Sequence, residues 1–310
     1  MSLRHVEAIA NAVLYEGYAL YPYCPSSIKN RRRFNFGVLA PRAVVESADH
    51  GYAWQTRTEC LVQGEQRSML SVTVRFLQLT SQSAPSPAER QVSQEPWLEA
   101  TERTVTLNQT NLAALADCGG AMRTPFTFDR LDGYVESSAE WLRPGGFRVC
   151  IRVANISSSG DHVGPAHNDI LPLAFVSTHS IMSLVDGEFV SLLEPAEEWR
   201  EAAAVCVNTG AYPVLAGEPG RRDIMLSSPI ILYDYPEVAA DSPGDLFDGA
   251  EIDEILTLRI MTLTDDEKDE MRRGDDRTRQ LLERTEALTP EHMMKLHGVM
   301  RGLRAGESGG

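Results

Sequence analysis

Alternating apolar and polar residues form the strongest structural pattern along the chain. Within residues 68–79, Leu, Val and Phe side chains occupy every second position, and this spacing is typical of a strand with one buried face. Residues 147–153 repeat the pattern. Weaker strand patterns cover 54–62, 100–107, 126–136 and 181–193. Together these segments predict an antiparallel, sandwich-like sheet core.

Helical patterns flank this β-rich region. Apolar side chains recur near a 3.6-residue spacing in the first 18 residues, which predicts an N-terminal helix. Residues 196–206 are rich in Ala and Glu, and residues 265–295 are charged and follow a capping-box pattern, so both segments are predicted to be helical. The predicted fold class is therefore α+β: an antiparallel β-sandwich-like core, an N-terminal helix and a mixed, helical C-terminal part.

Two short apolar runs predict additional strands. One covers residues 34–39, and the other covers residues 229–236 between two prolines. The segment 241–258 follows, with Ile, Leu and Phe side chains between its acidic residues. This composition is too apolar for a solvated linker, so 229–258 is predicted to pack on the main body of the protein.

The same patterns predict four successive parts of the chain. The predicted parts are an N-terminal helix with an aromatic and basic loop (1–33), a β-rich core (34–194), a mixed α/β region with an acidic loop and C-terminal helices (195–304), and a flexible tail (305–310).

Charge and composition narrow the function. The 310 residues include 29 Lys and Arg against 44 Asp and Glu, which gives a net charge of −15. This charge repels phosphate backbones, so nucleic-acid binding is not expected. No apolar run approaches the ~18 residues that a membrane helix needs, so we expect a cytoplasmic protein without membrane insertion. The five cysteines contain no C-x-x-C pair, which favours reduced thiols over a zinc or iron–sulfur site.

One cluster of residues has metal-binding side chains. His162, His167, Asp169 and His179 carry the imidazole and carboxylate donors that transition metals prefer. However, the first two histidines are five residues apart, which fits neither one face of a helix nor an H-x-H pair on a strand. Ordinary polar loop histidines explain this segment better, so no cofactor or metal is expected.

Two segments are candidates for binding a protein partner. Residues 241–276 hold 13 acidic and 4 basic residues, whereas residues 1–42 hold 2 acidic and 6 basic ones. A solvated face is the simpler interpretation of such charge blocks, and a docking surface is the more specific one. The candidate partner-binding residues are Tyr21, Tyr23, Arg31, Arg32, Arg33, Asp245, Asp248, Asp253 and Glu254.

Two long stretches resemble a known family. The first runs from Glu16 to Gly37 and includes Tyr-Pro-Tyr-Cys-Pro-Ser-Ser, and the second runs from Ser227 to Leu258 and includes Ser-Ser-Pro-Ile-Ile-Leu-Tyr-Asp-Tyr-Pro. They are similar to a family of cytoplasmic proteins associated with operons for actinobacterial-type uptake NiFe-hydrogenases, over residues 8–300. The resemblance implies an accessory or assembly role and supplies no catalytic residues.

The function predicted from these observations is non-enzymatic. We expect an accessory or assembly protein that docks onto a NiFe-hydrogenase subunit or its maturation machinery, with charge complementarity supporting the encounter. The alternative is a metal-dependent enzyme or metal carrier that uses His162, His167 and His179. The residues themselves identify no reaction and no substrate.

Overall fold

The structure is a computed structural model that describes residues 2–15, 36–47, 51–81, 98–143, 145–158 and 167–237. Eight further residues in the range from Asp265 to Glu286 are also described, and each of them is helical. The chain divides into two compact units: Met1–Tyr18 with Phe34–Val238, and Ala19–Arg33 with Ala239–Gly310. No helix in the described ranges is long and apolar enough to cross a membrane.

The first unit is mostly antiparallel β-sheet with few helices. Its strands are β1 (Gln55–Ser81), β2 (Leu98–Asn111), β3 (Met122–Phe128), β4 (Leu131–Leu142), β5 (Gly146–Asn155), β6 (Val176–Val190), β7 (Tyr212–Leu215) and β8 (Ile224–Ser228). Its helices are α1 (Ser2–Tyr15), α2 (Arg42–Ser47), α3 (Leu112–Asp117), α4 (His167–Ile170) and α5 (Arg200–Ala204). Single 3-10 turns lie at Leu171–Leu173 and Glu197–Trp199. The prediction of a sheet-rich fold is confirmed.

The long strand β1 organises the sheet. The strands follow the order β3-β4-β5-β1-β6-β8-β7, and β2 pairs with β1. The first part of β1 pairs with β5 at residues 55–62, and its second part pairs with β2 at residues 69–81. Strand β6 runs along the opposite edge, with a gap in register between Gly64 and Met69. One strand therefore connects two differently paired regions of the sheet.

Aromatic side chains from distant strands meet in the core. Phe76 of β1 stacks on Phe175 with ring centroids 4.4 Å apart, and it lies 5.9 Å from Phe126 and 6.0 Å from Phe128 of β3. Because β3 ends the strand order, the sheet must curl to bring these rings together. Burying Phe76 and Phe175 completely contributes on the order of 1.5–3 kcal/mol each.

Helix α1 covers one face of the other end of the sheet. Val6, Ile9, Ala10 and Val13 are buried against a second cluster, which includes Ile181 of β6 and Leu226 of β8. The 3.6-residue spacing seen in the sequence places these side chains on one face. The predicted N-terminal helix is confirmed, and it ends two residues before Gly17.

The strand patterns of the sequence are largely confirmed, with corrections. The segment 126–136 was predicted as one strand, but a turn at Asp129, which has φ +48°, divides it between β3 and β4. Asp tolerates this left-handed conformation, so no glycine is needed there. In 34–39, only Leu39 forms bridges, to Ala53 and Phe175, so the predicted strand is wrong for the described residues 36–39.

Candidate functional site

The second short run, residues 229–236, is not the buried strand that its sequence predicts; together with Glu237 it forms an irregular segment that we call the strap. Ile230 and Leu232 pack against the α1 cluster, whereas Ile231 is 95% exposed and Tyr233 is 82% exposed. The prolines at positions 229 and 236 have no amide hydrogen, which prevents regular ladder pairing. The strap therefore presents two large apolar side chains to solvent.

Asp234 fixes the strap to the sheet. Its Oδ1 accepts a hydrogen bond from the backbone amide of Leu215 at 2.8 Å, and its Oδ2 accepts one from Ser191 Oγ. The Ser191 Oγ in turn accepts from the amides of Leu193 and Glu194. One carboxylate thus connects the strap, β7 and the segment after β6, and charge-assisted bonds of this kind are stronger than neutral ones.

The backbone of the strap completes the outer edge of β7. The amide of Tyr235 donates to the Leu215 carbonyl at 2.7 Å, and the Tyr235 side chain packs against the main core. Tyr235 has φ +55°, a conformation that costs a bulky residue on the order of 1–3 kcal/mol. The surrounding contacts must offset this strain, so the strap has a defined conformation over these residues.

Further large apolar side chains are exposed in the segments that join β6 to the strap. We define the apolar surface as the large exposed side chains between β6 and the end of the strap. Its members are Leu193, Val205, Val207, Tyr212, Ile231 and Tyr233. Leu193 is joined to Asp234 through Ser191, and Asp234 is close enough to contribute to the raised pKa of Tyr212. Exposed apolar clusters of this kind mark interaction sites in soluble proteins.

Titratable groups beside this surface are held in their neutral forms. Burial raises the pKa of the Tyr212 hydroxyl, and the nearby Asp234 and Cys206 add to this increase. Burial likewise raises the pKa of Cys206 to about 11. The Cys206 thiol is therefore protonated at neutral pH, which makes it a poor nucleophile and a poor metal ligand. The site is equipped for binding rather than for covalent chemistry at this cysteine.

The outer face of β3, β4, β5 and the first part of β1 differs in character. Glu136 accepts hydrogen bonds from Arg123 at 2.9 Å and from Arg152 at 2.8 Å, and the Arg123 bond is the largest cause of its lowered pKa. Glu140 pairs with Arg148 at 2.6 Å, and Glu59 pairs with Arg57. This paired-charge face stabilises contacts between neighbouring strands.

His179 lies in a buried environment on the face of β6 that α1 covers. It pairs in register with Arg75, whose guanidinium donates to Asn11 of α1 at 2.7 Å. His179 Nδ1 lies 2.9 Å from the Ser177 carbonyl oxygen, and Nε2 has no partner among the described residues. Burial is the main reason that the pKa of His179 falls to about 4. The imidazole is therefore neutral at physiological pH.

The structure tests only part of the predicted metal cluster. His162 lies outside the described residues, and His167 begins α4, where Asp169 is exposed. His179 is 1% exposed. Among the described residues, no group of three or more His, Cys, Asp or Glu side chains is placed to hold a metal ion.

The partner-binding residues predicted from the sequence all lie outside the described residues. These are Tyr21, Tyr23, Arg31, Arg32, Arg33, Asp245, Asp248, Asp253 and Glu254. The sequence analysis missed Asp234 as an anchor, and it placed Ile231 inside the protein. Alternation within 229–236 was the available signal, since Ile230 and Leu232 fall on one side and Ile231 and Tyr233 on the other.

The two stretches that carry the family resemblance meet in the structure. A Cβ atom on Gly37 would lie 2.7 Å from Pro229 Cβ and 3.0 Å from the amide nitrogen of Thr178. Gly37 also has φ +54°, so its position requires glycine for both space and conformation. This contact joins the end of the first stretch to the start of the strap. No protein-family model matches the chain, and a search of curated proteins finds no match.

Replacing Asp234 should loosen the strap. Asp234→Ala removes the acceptors for Leu215 and Ser191, and we expect a loss of about 1–3 kcal/mol in unfolding free energy. Hydrogen exchange should increase within residues 230–235. Asp234→Asn keeps one acceptor oxygen and should have a smaller effect. Unchanged exchange in Asp234→Ala would contradict the anchoring role.

Proposed function

We propose that this chain is a non-enzymatic docking protein and that its apolar surface binds a protein partner. The observation that carries the proposal is the strap, which holds Ile231 at 95% and Tyr233 at 82% exposure on a hydrogen-bonded backbone. A backbone that is held in place before binding reduces the conformational entropy lost on binding, and aromatic anchors dominate many interfaces. An exposed pair held in this way is suited to enter a pocket on a partner.

The proposed partner is a subunit of a cytoplasmic NiFe-hydrogenase or one of its maturation factors. The support for this identity is the sequence resemblance, and the convergence of its two stretches at Gly37 and Pro229 adds a structural reason to connect them with one surface. The finer description of the fold, an α+β chain with a sandwich-like core and a helical C-terminal part, also remains part of this proposal.

The loops predicted from the sequence form a separate part of this proposal. In this proposal, the aromatic and basic residues of 21–33 and the acidic residues of 245–254 contribute further contacts and charge steering. In the sequence, residues 21–33 precede Gly37, and residues 245–254 follow the strap. Their contribution rests on charge and composition.

Removing the two exposed strap side chains should abolish most partner binding. We expect Ile231→Ser with Tyr233→Ser to weaken binding of hydrogenase subunits or maturation factors by at least about 30-fold, which is the effect of losing one interface hot spot. Affinity purification from the native host with quantitative mass spectrometry measures the change.

A matched control separates this effect from a general loss of surface hydrophobicity. Ile156→Ser with Val185→Ser removes two apolar side chains, 46% and 49% exposed, from other parts of the sheet unit. The control should retain the partners of the wild type. Equal retention of partner proteins by the strap variant would show that the apolar surface does not bind them. Retention of unrelated proteins alone would contradict the proposal of a hydrogenase partner.

The alternative, a metal-dependent enzyme or metal carrier, is favoured by one feature. His179 offers a neutral imidazole whose Nε2 has no partner among the described residues, and neutral imidazole is the form of histidine that binds metals. Elemental analysis of the purified protein tests this alternative. Stoichiometric zinc, iron or nickel that disappears in the His162→Ala, His167→Ala and His179→Ala variants would support it over docking alone.

A further inference from the structure

We propose that the apolar surface recognises a basic segment of a partner protein, in which an apolar side chain is flanked by Lys or Arg residues. This inference rests on the proposed function and specifies the chemistry of the occupant. It follows from the acidic residues between Leu193 and Val205 and from the hydrogen bonds that link Glu194 to Asp234.

The segment between Leu193 and Val205 is strongly acidic. It contains Glu194, Glu197, Glu198 and Glu201, which are all exposed, against Arg200 alone. Arg200 pairs with Glu197 at 2.7 Å. No Lys or Arg in the described ranges lies within ion-pair distance of the other three carboxylates. We call Glu194, Glu198 and Glu201 the acidic rim.

One residue of the acidic rim, Glu194, is linked to the strap by hydrogen bonds. The amide of Glu194 donates to Ser191 Oγ at 2.9 Å, and Ser191 donates to Asp234 of the strap. Further along, α5 carries Glu201 and leads directly to the exposed Val205. Exposed acidic residues thus lie in the sequence between Leu193 and Val205, two members of the apolar surface, and charged residues border the apolar centre of many protein interfaces.

Carboxylates elsewhere on the sheet include a group that is paired with arginine. On the paired-charge face, Glu59, Glu136 and Glu140 each have an arginine partner. Glu65 of β1 and Asp186 and Glu188 of β6 are also exposed, so the acidic rim is distinguished by the hydrogen-bonded link from Glu194 to the strap and not by the lack of a countercharge alone. A basic partner would supply the missing countercharges, which increases the association rate and discriminates against acidic partners.

The same charges argue against two other occupants. A second copy of this chain would bring an identical acidic rim to a symmetric interface, and each copy carries a net charge of −15. The segment 241–254 of this chain contains six acidic residues and no Lys or Arg, so like charges oppose its binding to the rim. A basic segment from another protein meets neither objection.

Three synthetic peptides test this inference. They share a central Leu-Phe-Leu and differ in having Lys, Ser or Glu on both sides, and fluorescence anisotropy measures their binding to the full chain. We expect the Lys-flanked peptide to bind at least about tenfold more tightly than the Ser-flanked one, with binding that weakens as salt increases. The Glu-flanked peptide should bind most weakly.

Two matched variants assign the charge effect to the acidic rim. Glu194→Gln with Glu198→Gln and Glu201→Gln should weaken binding of the Lys-flanked peptide by about five- to tenfold. The control variant carries Glu7→Gln, Glu65→Gln and Glu218→Gln, which removes the same charge from three other exposed positions. It should change binding by less than about twofold. Ile231→Ser with Tyr233→Ser should abolish binding of every peptide.

Each other outcome contradicts a different claim. Equal losses in the rim variant and its control would overturn the basic-segment inference and leave the docking function intact. Full binding by the Ile231→Ser and Tyr233→Ser variant would overturn the docking surface itself. Self-association that depends on Tyr233 would assign the surface to a second copy. Binding that appears only after Arg31, Arg32 and Arg33 are replaced by Ser would assign it to this chain's own basic loop.

Discussion

Gly146→Ala is expected to destabilise the sheet unit by at least about 3 kcal/mol, and to lower its melting temperature by about 10 °C. A Cβ atom at this position would lie 2.1 Å from the Val62 carbonyl oxygen and 2.8 Å from Cη2 of Trp199. Val62 belongs to the central strand, and Trp199 is only 2% exposed. Neither neighbour is able to move without disturbing the packing between β1, β5 and the 3-10 turn at Glu197–Trp199.

The neighbouring glycine provides the control for this prediction. A Cβ atom on Gly145 would meet no atom within 4 Å, so Gly145→Ala should leave the stability within about 0.5 kcal/mol of the wild type. Chemical unfolding followed by circular dichroism compares the two variants. Equal stability of both variants would contradict the close approach of β5 to Val62 and Trp199.

Acidification is expected to destabilise the sheet unit through His179. In the folded state its pKa is about 4, mainly because of burial, whereas the ordinary value is 6.5. Below pH ~6.5 the unfolded chain binds a proton that the folded chain does not, so stability falls as the pH decreases. The loss reaches about 3 kcal/mol near pH 4, where the folded state also becomes protonated.

Urea unfolding between about pH 7 and 5 measures this dependence. The wild type should lose about 2 kcal/mol between pH 6.5 and 5, and His179→Leu should lose much less. Carboxylates such as Glu136, whose pKa Arg123 lowers from 4.5, contribute only at lower pH. The same slope in both proteins would show that His179 is not buried in its neutral form.

Much of the sheet was predictable because local patterns agree with the tertiary structure there. In residues 68–79 and 147–153, alternation places Val74, Phe76 and Val149 in one core, and burial of these side chains selects the register. The spacing of Val6, Ile9 and Val13 likewise predicted the packed face of α1. These elements bury one regular face, so their sequences contain most of the information that defines them.

The strap was not predictable in the same way. Its apolar composition favoured burial of Ile231, and its conformation depends on partners far away in sequence. Asp234 reaches Ser191, 43 residues before it, and Leu215, 19 residues before it. No local pattern reports such contacts. The acidic rim was also not predictable from the sequence, because the distinction between paired and unpaired carboxylates requires the positions of the arginines.

The gap in β1 register has a similar tertiary cause. Ser68 of β1 is fully buried where this strand faces β6. Its Oγ accepts a hydrogen bond from the Glu65 amide and donates one to the Asp186 carbonyl. A Cβ atom on Gly64 would lie 2.4 Å from this oxygen, so Gly64 leaves the space that Ser68 fills. Sequence alternation resumes after Ser68 and predicted the second part of the strand, but not its continuity with the first part.

Photo-crosslinking in the native host tests directly whether the exposed strap contacts a partner protein. A benzoylphenylalanine residue at position 233 replaces an aromatic side chain that is 82% exposed, and one at Thr106 on β2 serves as the control. We expect position 233 to crosslink to a hydrogenase subunit or maturation factor, through a segment rich in Lys or Arg, whereas position 106 should not. Crosslinks to such proteins from position 106 alone, or to unrelated proteins from position 233, would contradict this expectation.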